Sequence, residues 1–485
     1  MNLKSILTAL FILICAATAT ARSANERIAD AMNRSDWFEL ESIIDETPKD
    51  SIMDFLEVFA RCLLGNRLNR PDLSLPAFEE LLSTQSENLD LGNLVNSGMM
   101  YALDLNHTER NAEAAAVLTS ILTSIRPHLD AATCSSIERL ISLYSGLSRY
   151  KPYGIAFADS TGASIPFSVN PVGPSDKNSV LMHLDNSFIN GREARICFDT
   201  GAGANIISDS LATVYGLEPV DALANVRGVS LAEGSYAVAR QLRLGNLTLT
   251  DVPFIVVNIT SNNTEADRYI ADFSIIVGSD LMLRLKELTI DFVNRRIDIP
   301  AHAPARSGTK ANMCFSPTLN LLTQADILDN RVLANIDTGD ASYGSLGNEF
   351  YEQHRTYIEA NSTPDSIREA GIGGVHISKT YKMPNLPLGI GGNMAVVPEM
   401  AVKTTPGTMS AGVPCNIGIK SLMLFGKVHF NMVDFVFTTL HSASPASHKP
   451  QPHRTFTYIP TPGPKAWQII GKVILEGTRE YLTTH

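Results

Sequence analysis

The triplet Asp-Thr-Gly occurs twice, as Asp199-Thr200-Gly201 and Asp337-Thr338-Gly339, each time at the end of an apolar run. At roughly 5–7% usage per residue type, one given triplet arises by chance in a chain of this length on the order of one time in ten. Two in the same setting are far rarer, and their surroundings repeat as well. Val180-Leu-Met-His-Leu and Ala194-Arg-Ile-Cys-Phe flank Asn190-Gly191 and lead to Asp199; Leu319-Asn-Leu-Leu and Val332-Leu-Ala-Asn-Ile flank Asp329-Asn330 and lead to Asp337. Turn residues that tolerate positive φ between β-branched and aliphatic runs predict hairpins. Leu244-Gly245 and Val252-Pro253 correspond to Leu388-Gly389 and Val397-Pro398, and Ile275-Ile276-Val277-Gly278 to Cys415-Asn416-Ile417-Gly418. The distance from Asp199 to Gly278 is 79 residues and from Asp337 to Gly418 is 81. The chain therefore contains an internal duplication of a β-rich unit.

A pair of carboxyls delivered in this way has a definite chemistry. Peptide hydrolysis needs one group to take a proton from water and another to give one to the scissile amide. Like charges a few ångströms apart do not both ionise cheaply, so two facing carboxyls share a proton and can do both tasks. Gly201 and Gly339 permit tight loops, and Thr200 and Thr338 are placed to hydrogen-bond between the two copies.

Phe198-Asp199-Thr200-Gly201-Ala202 with Ile276-Val277-Gly278, and Ile336-Asp337-Thr338-Gly339 with Asn416-Ile417-Gly418, resemble the paired loops of the retropepsin-like and pepsin-like aspartic peptidases. The stretches Ser279-Asp280-Leu281-Met282 and Phe435-Val-Phe extend the resemblance, which covers residues 178–440. It implies a bilobal all-β, acid-protease-like domain of two retropepsin-like β-barrel lobes, spanning 178–300 and 312–440. It further implies Asp199 and Asp337 as catalytic aspartates, and Thr200, Gly201, Ala202, Thr338 and Gly339 as loop support. Gly278 and Gly418 would pack beneath the loops. Flap hairpins are expected at Gly228–Tyr236 and Gly371–His376. No cofactor is expected, and two lobes in one chain make a site without dimerisation, so a monomer is expected. The substrate would be a peptide or protein.

The second copy departs from the pattern by placing Asp340 where the first has Ala202. Three readings stay open: the extra carboxylate raises the pKa values of the pair, it bonds locally to backbone N–H groups, or it marks a loop without catalytic duty. Cys197, two residues before Asp199, reads as a small buried apolar residue rather than a nucleophile.

Outside the duplication, residues 22–150 carry helical periodicity, with Trp37, Leu40, Ile43 and Ile44 on one face and Phe55, Val58, Phe59 and Leu63 on another. Further helical segments are expected at Pro76–Leu82 and Ala112–Ile125, joined by the turns Asn69-Arg70-Pro71-Asp72 and Asn106-His107-Thr108. The expectation is an all-α, TPR-like domain of helical hairpins, serving as a packing unit, a docking site for a protein partner, or a prosegment. Residues 151–177, with Pro152, Pro166, Pro171 and Pro174, read as a linker or irregular strand, and 441–485 as a linker and tail with strands at 455–459 and 469–475.

Lys4, the apolar run Ile6–Ala17 and Ala19-Thr20-Ala21 give residues 1–21 the form of a removed export signal, so a periplasmic or extracellular location without a membrane span is expected. A retained anchor needs about 20 apolar residues, and lipoprotein anchoring through Cys15 is disfavoured by Ile14. Five cysteines then remain, and Cys62 with Cys134 is the pair to test for a disulfide. The net charge of −11 without a basic run excludes a polyanion-binding role, so no nucleic-acid partner is expected. Scattered histidines form no metal-ligand spacing, and Gly371-Ile-Gly-Gly lacks the lysine of a phosphate loop. Two functions remain: an exported aspartic endopeptidase, or a catalytically inactive protein that binds peptides in the same cleft and docks a partner on its helices.

Overall fold

Capping residues and apolar stripes set the helices of the N-terminal region. These are α1 (Ala24–Asn33), α2 (Trp37–Glu46), α3 (Asp54–Arg67), α4 (Pro71–Thr84), α5 (Leu91–His107), α6 (Asn111–Ile125) and α7 (Ala131–Leu147). Ser23 and Glu26 form a reciprocal capping box on α1, and Asp36, Asp90 and Asp130 accept from backbone N–H groups at the starts of α2, α5 and α7. Consecutive helices pack on one another. The helix expected from Pro76 begins instead at Pro71, where proline suits the first turn because its missing N–H has no intrahelical partner there. Among the described residues no helix is long and apolar enough to cross a membrane.

The computed structural model describes residues 23–440 apart from 173–175, 228–230, 260–270, 317, 372–373 and 406–413. The expected export signal and the C-terminal strands lie outside the described residues. Cys62 and Cys134 are both free and buried, so the bridge to be tested between them is not formed.

The first copy contains β1 (Gly154–Phe157), β2 (Gly162–Val172), β3 (Asp176–Leu184), β4 (Ser187–Ile189), β5 (Arg192–Glu193), β6 (Ile196–Phe198), β7 (Ile206–Ser208), β8 (Glu218–Arg227), β9 (Leu231–Leu244), β10 (Leu247–Val257), β11 (Ile275–Val277), β12 (Glu287–Asp291) and β13 (Arg296–Pro300). Helix α8 (Asp209–Val214) follows β7, and α9 (Ser279–Leu285) follows β11. The second contains β14 (Met313–Phe315), β15 (Leu321–Ile327), β16 (Asn330–Asp337), β17 (Gly344–Leu346), β18 (Thr363–Gly371), β19 (Gly374–Ile390), β20 (Asn393–Lys403), β21 (Cys415–Gly418), β22 (Lys427–Asn431) and β23 (Val436–Thr439). Here α10 (Asn348–Asn361) follows β17, and α11 (Ile419–Met423) follows β21.

The duplication read from sequence is a duplication of strand pairing. In the first copy β6–β11 is parallel, β11–β7 antiparallel, β7–β10 parallel and β10–β9 antiparallel; β16–β21, β21–β17, β17–β20 and β20–β19 repeat that order and sense. Antiparallel pairing of β12 with β22, Leu288 opposite Phe430, joins the copies through the strand order β23-β22-β12-β13-β2. The Asn190-Gly191 turn has both residues at positive φ, as its sequence demands, whereas the second hairpin turns at Leu328-Asp329, one position earlier than Asp329-Asn330.

Of the two readings of residues 151–177, linker or irregular strand, the described residues show the strand, with a register shift at Pro171/Val172. Strand β2 pairs with both β13 and β3, and its Ala163, Ile165 and Phe167 are buried while Ser164 and Pro166 are exposed. That two-residue alternation is a strand signal, which the prolines left undecided between strand and linker in sequence.

The helical region is docked on both copies. Arg67 Nη1 donates to Ser316 O at 3.0 Å and Asn69 Nδ2 to Met432 O at 2.7 Å. Arg284 of α9 donates to the carbonyls of Asn106 and His107, satisfying groups that the end of α5 leaves without helical partners. Helix α7 lies along β8, and Val220, Ala222, Ala224 and Val226 share one apolar core with the helices. The approach is close enough that a Cβ on Gly146 would stand 2.3 Å from Val220 Cγ1. Gly146→Leu is therefore expected to cost about 1–3 kcal/mol through overpacking, measured by urea denaturation. Ser145→Ala, on the exposed side of the same turn, should leave the midpoint within experimental error.

Candidate active site

Each triplet leaves the end of a strand that a second strand supports in parallel. Cys197 and Phe198 lie opposite Ile276 and Val277, and Asn335, Ile336 and Asp337 lie opposite Asn416, Ile417 and Gly418. The glycines expected beneath the loops occupy that position because nothing larger fits. A Cβ on Gly278 would meet Ala202 O at 2.4 Å, and one on Gly418 would meet Ser342 O at 2.4 Å. Backbone bonds close the stack, Ser279 N donating to Ala202 O at 2.8 Å and Ile419 N to Asp340 O at 3.0 Å.

The two loops face each other. A Cβ on Gly201 would stand 2.6 Å from Asp337 Cγ, and one on Gly339 2.4 Å from Asp199 Cγ, so each loop glycine lies against the opposite aspartate. Asp199 Oδ1 accepts from Gly201 N at 2.8 Å and Ala202 N at 3.1 Å; Asp337 Oδ1 accepts from Gly339 N and Asp340 N, both at 2.9 Å. The two carboxyls are thereby brought face to face, each against the loop of the other. Both aspartates keep part of their surface open. Burial raises the pKa of both above the ordinary carboxylate range, and the like charges of Asp199 and Asp340 push Asp337 well above it.

Thr200 and Thr338, both fully buried, lock the loops together. Thr200 N donates to Thr338 Oγ1 and Thr338 N to Thr200 Oγ1, each at 3.0 Å, while the hydroxyls donate onward to Ile336 O and Phe198 O at 2.7 Å.

Asp340 bonds within its own loop and beyond it. Its Oδ1 accepts from Ser342 N at 3.0 Å and Ser342 Oγ at 2.6 Å, and its Oδ2 accepts from Asn416 Nδ2 at 2.8 Å. The same Nδ2 donates to Asp337 Oδ2 at 3.1 Å, and Asn416 Oδ1 accepts from Asn335 Nδ2 at 2.8 Å. Asn320 adds a contact from the second copy to the first loop, its Nδ2 donating to Gly201 O at 2.6 Å. Sequence reading singled out none of these three asparagines; aligning the copies strand by strand would have exposed Asn335 and Asn416, since the first copy has Cys197 and Ile276 in their places. The Cys197 thiol is buried, and burial holds its pKa well above the usual thiol value, which leaves it without nucleophilic character.

The segments expected as flaps belong to the hairpins β8–β9 and β18–β19, whose turns at 228–230 and 372–373 lie outside the described residues.

Residues 188–281, the core of the first copy with Asp199 and Gly278, match the aspartyl protease family. No curated protein matches the chain. The second copy enters by its pairing order, the same as that of the matched segment. The chain thus carries an aspartyl protease domain of the retropepsin-like superfamily.

Proposed function

We propose that the chain is an aspartic endopeptidase with a single-chain active site built from two β-barrel lobes, one per copy, behind a TPR-like array of helical hairpins. The observation that carries this reading is the facing of Asp199 and Asp337, each set against the glycine of the opposite loop and each accepting two N–H groups of its own loop. One proton between two carboxyls leaves one as acid and one as base. The base takes a proton from water held between them as the water oxygen attacks the peptide carbonyl. The acid gives its proton to the developing oxyanion, and collapse of the tetrahedral species passes a proton to the leaving nitrogen. No covalent enzyme intermediate forms. The substrate is an extended peptide lying between the two hairpins, and the enzyme acts outside the cytoplasm as a monomer.

Activity requires the singly protonated pair, so the pH profile of kcat/KM is expected to be bell-shaped. It falls on the acid side when the pair takes up a second proton and on the basic side when it loses the first. Cleavage of a peptide library across about pH 3 to 8, the span of shared-proton carboxyls, should be abolished by Asp199→Asn and by Asp337→Asn. Wild-type turnover in both variants would overturn the reading. Asp340 favours a second reading, a peptide-binding protein without turnover; binding of library peptides with no cleavage at any pH would establish it.

The threonine pair gives a separate expectation. Thr200→Val leaves the Thr338 N–H and the Ile336 carbonyl without these partners, at a cost of about 1–3 kcal/mol for a buried polar group. It should lower kcat more than it raises KM, because it disturbs the carboxyl geometry rather than the cleft. Thr200→Ser, which keeps the hydroxyl, should retain most of both, as steady-state kinetics and urea denaturation will show.

A further inference from the structure

The two copies share their strand order but not the side chains behind their aspartates. At matching register the first copy has Cys197, Ile276 and Ala202, and the second has Asn335, Asn416 and Asp340. Three apolar positions on one side are three polar positions on the other, and the polar three are joined. Asn335 donates to the Asn416 carbonyl oxygen, which fixes the Asn416 amide so that its nitrogen faces the catalytic loop. That nitrogen then donates to Asp340 Oδ2 and Asp337 Oδ2, one hydrogen for each carboxyl. Ser342 holds the other oxygen of Asp340 with two donors. Asp340 is thus pinned beside Asp337, with the asparagine as the clasp. Asp199 has Ala202 in the corresponding place and no such neighbour in its own loop.

Resting on the peptidase reading, we propose that Asp340, held beside Asp337 by Ser342 and by the Asn416 amide that Asn335 orients, is a positioning residue that makes the aspartate pair one-sided. Asp337 carries the shared proton, Asp199 is the base toward water, and the pair stays singly protonated to higher pH than a symmetrical one.

The electrostatic argument is a comparison of two opposed effects. The Asn416 N–H favours the ionised form of Asp337, and the negative charge of Asp340 disfavours it; the charge is the larger of the two. Asp340 adjoins Asp337 directly, so its repulsion falls more on Asp337 than on Asp199, and the proton settles there. The other titratable groups around the pair do not oppose this. Asp199 faces it from the opposite loop. Cys197 on β6 and Cys415 on β21 are neutral thiols, with burial pushing Cys415 up to about 12 and Cys197 well above its usual value. Asp272 and Arg195, beyond Cys197, pair with each other at 2.9 Å.

The test replaces each polar residue with its first-copy counterpart and reads the pH profile of kcat/KM. Asp340→Ala and Asp340→Asn should move the basic limb to lower pH by on the order of one unit, the size typical of one neighbouring charge. Asn416→Ile removes the donor that favours ionised Asp337 and should move the same limb upward while lowering kcat more than it changes KM. An Asp340→Asn enzyme that cleaves peptides with an unshifted basic limb overturns the proposal.

A second readout needs no turnover. An aspartate whose folded pKa is raised lends stability that is fully present below its unfolded value near 3.9 and is lost as pH rises through the folded value. Urea denaturation between about pH 4 and pH 8 should therefore show a smaller loss of stability for Asp340→Asn than for wild type. In an Asp337→Asn background the Asp340→Asn change should make no such difference. Equal losses in wild type and Asp340→Asn overturn the proposal, including for a protein that cleaves nothing. Full turnover in Asp199→Asn and Asp337→Asn would instead remove the peptidase reading and leave this stability comparison to decide the one-sided pair.

Discussion

Two carboxyls that repel when ionised are kept face to face by a buried ring of hydrogen bonds between Thr200 and Thr338. Each hydroxyl accepts the opposite threonine's N–H and donates to a carbonyl on the opposite chain segment, so four strong groups are satisfied without water. In a site of low dielectric such a ring is costly to break, because every bond lost strands a buried polar group. The loops therefore move as one unit. The joining of β12 to β22, and the bond from Val180 N to Ala341 O at 2.9 Å, extend this coupling outward from the aspartates. Glycine at 201 and 339 is the steric half of the same constraint, since a side chain there would occupy the opposite carboxyl.

Around this symmetrical centre the copies have diverged in a way that packing explains in part. Cys197 and Ile276 belong to the apolar core that the first copy shares with the helical region, where a polar side chain would need a buried partner. In the second copy, Asn335 donates to the Asn416 carbonyl oxygen and Asn416 reaches two carboxyls, while Asn335 Oδ1 is buried without a hydrogen-bond partner among the described residues. Of the three readings of Asp340 left open by sequence, local bonding and a raised pKa for its neighbour occur together, because the bonds that hold Asp340 in place are what keep its charge beside Asp337.

What the sequence disclosed was periodic or repeated. The two triplets, the glycines 79 and 81 residues beyond them and the Asn190-Gly191 hairpin are local patterns whose spacing survives folding. What it hid depends on which strands become neighbours. Asn416 looks like an interruption in an apolar strand until the pairing with Asn335 is known, and Arg284 looks like a surface charge until α9 is placed at the end of α5. In β2 the prolines left strand and linker both open, and the strand forms because Pro166 sits on the exposed face where its side chain disturbs no packing. The second hairpin turns one residue earlier than Asp329-Asn330, which puts Leu328 at positive φ, a conformation uncommon for a bulky side chain and so not one its sequence announces.

The helical region bears unequally on the hairpins β8–β9 and β18–β19. Along β8, Val220, Ala222, Ala224 and Val226 are buried in the core shared with the helices, and α7 runs against the strand. The hairpin β18–β19 is held differently: Glu369 on β18 pairs with the buried Lys403 of β20 at 2.6 Å and accepts from Ser378 Oγ of β19 at 3.1 Å, while Ile377 on β19 is 67% exposed. Moving the first hairpin would expose apolar surface at about 25 cal/mol per Å², whereas moving β18 away from β20 would break the part-buried Glu369–Lys403 ion pair.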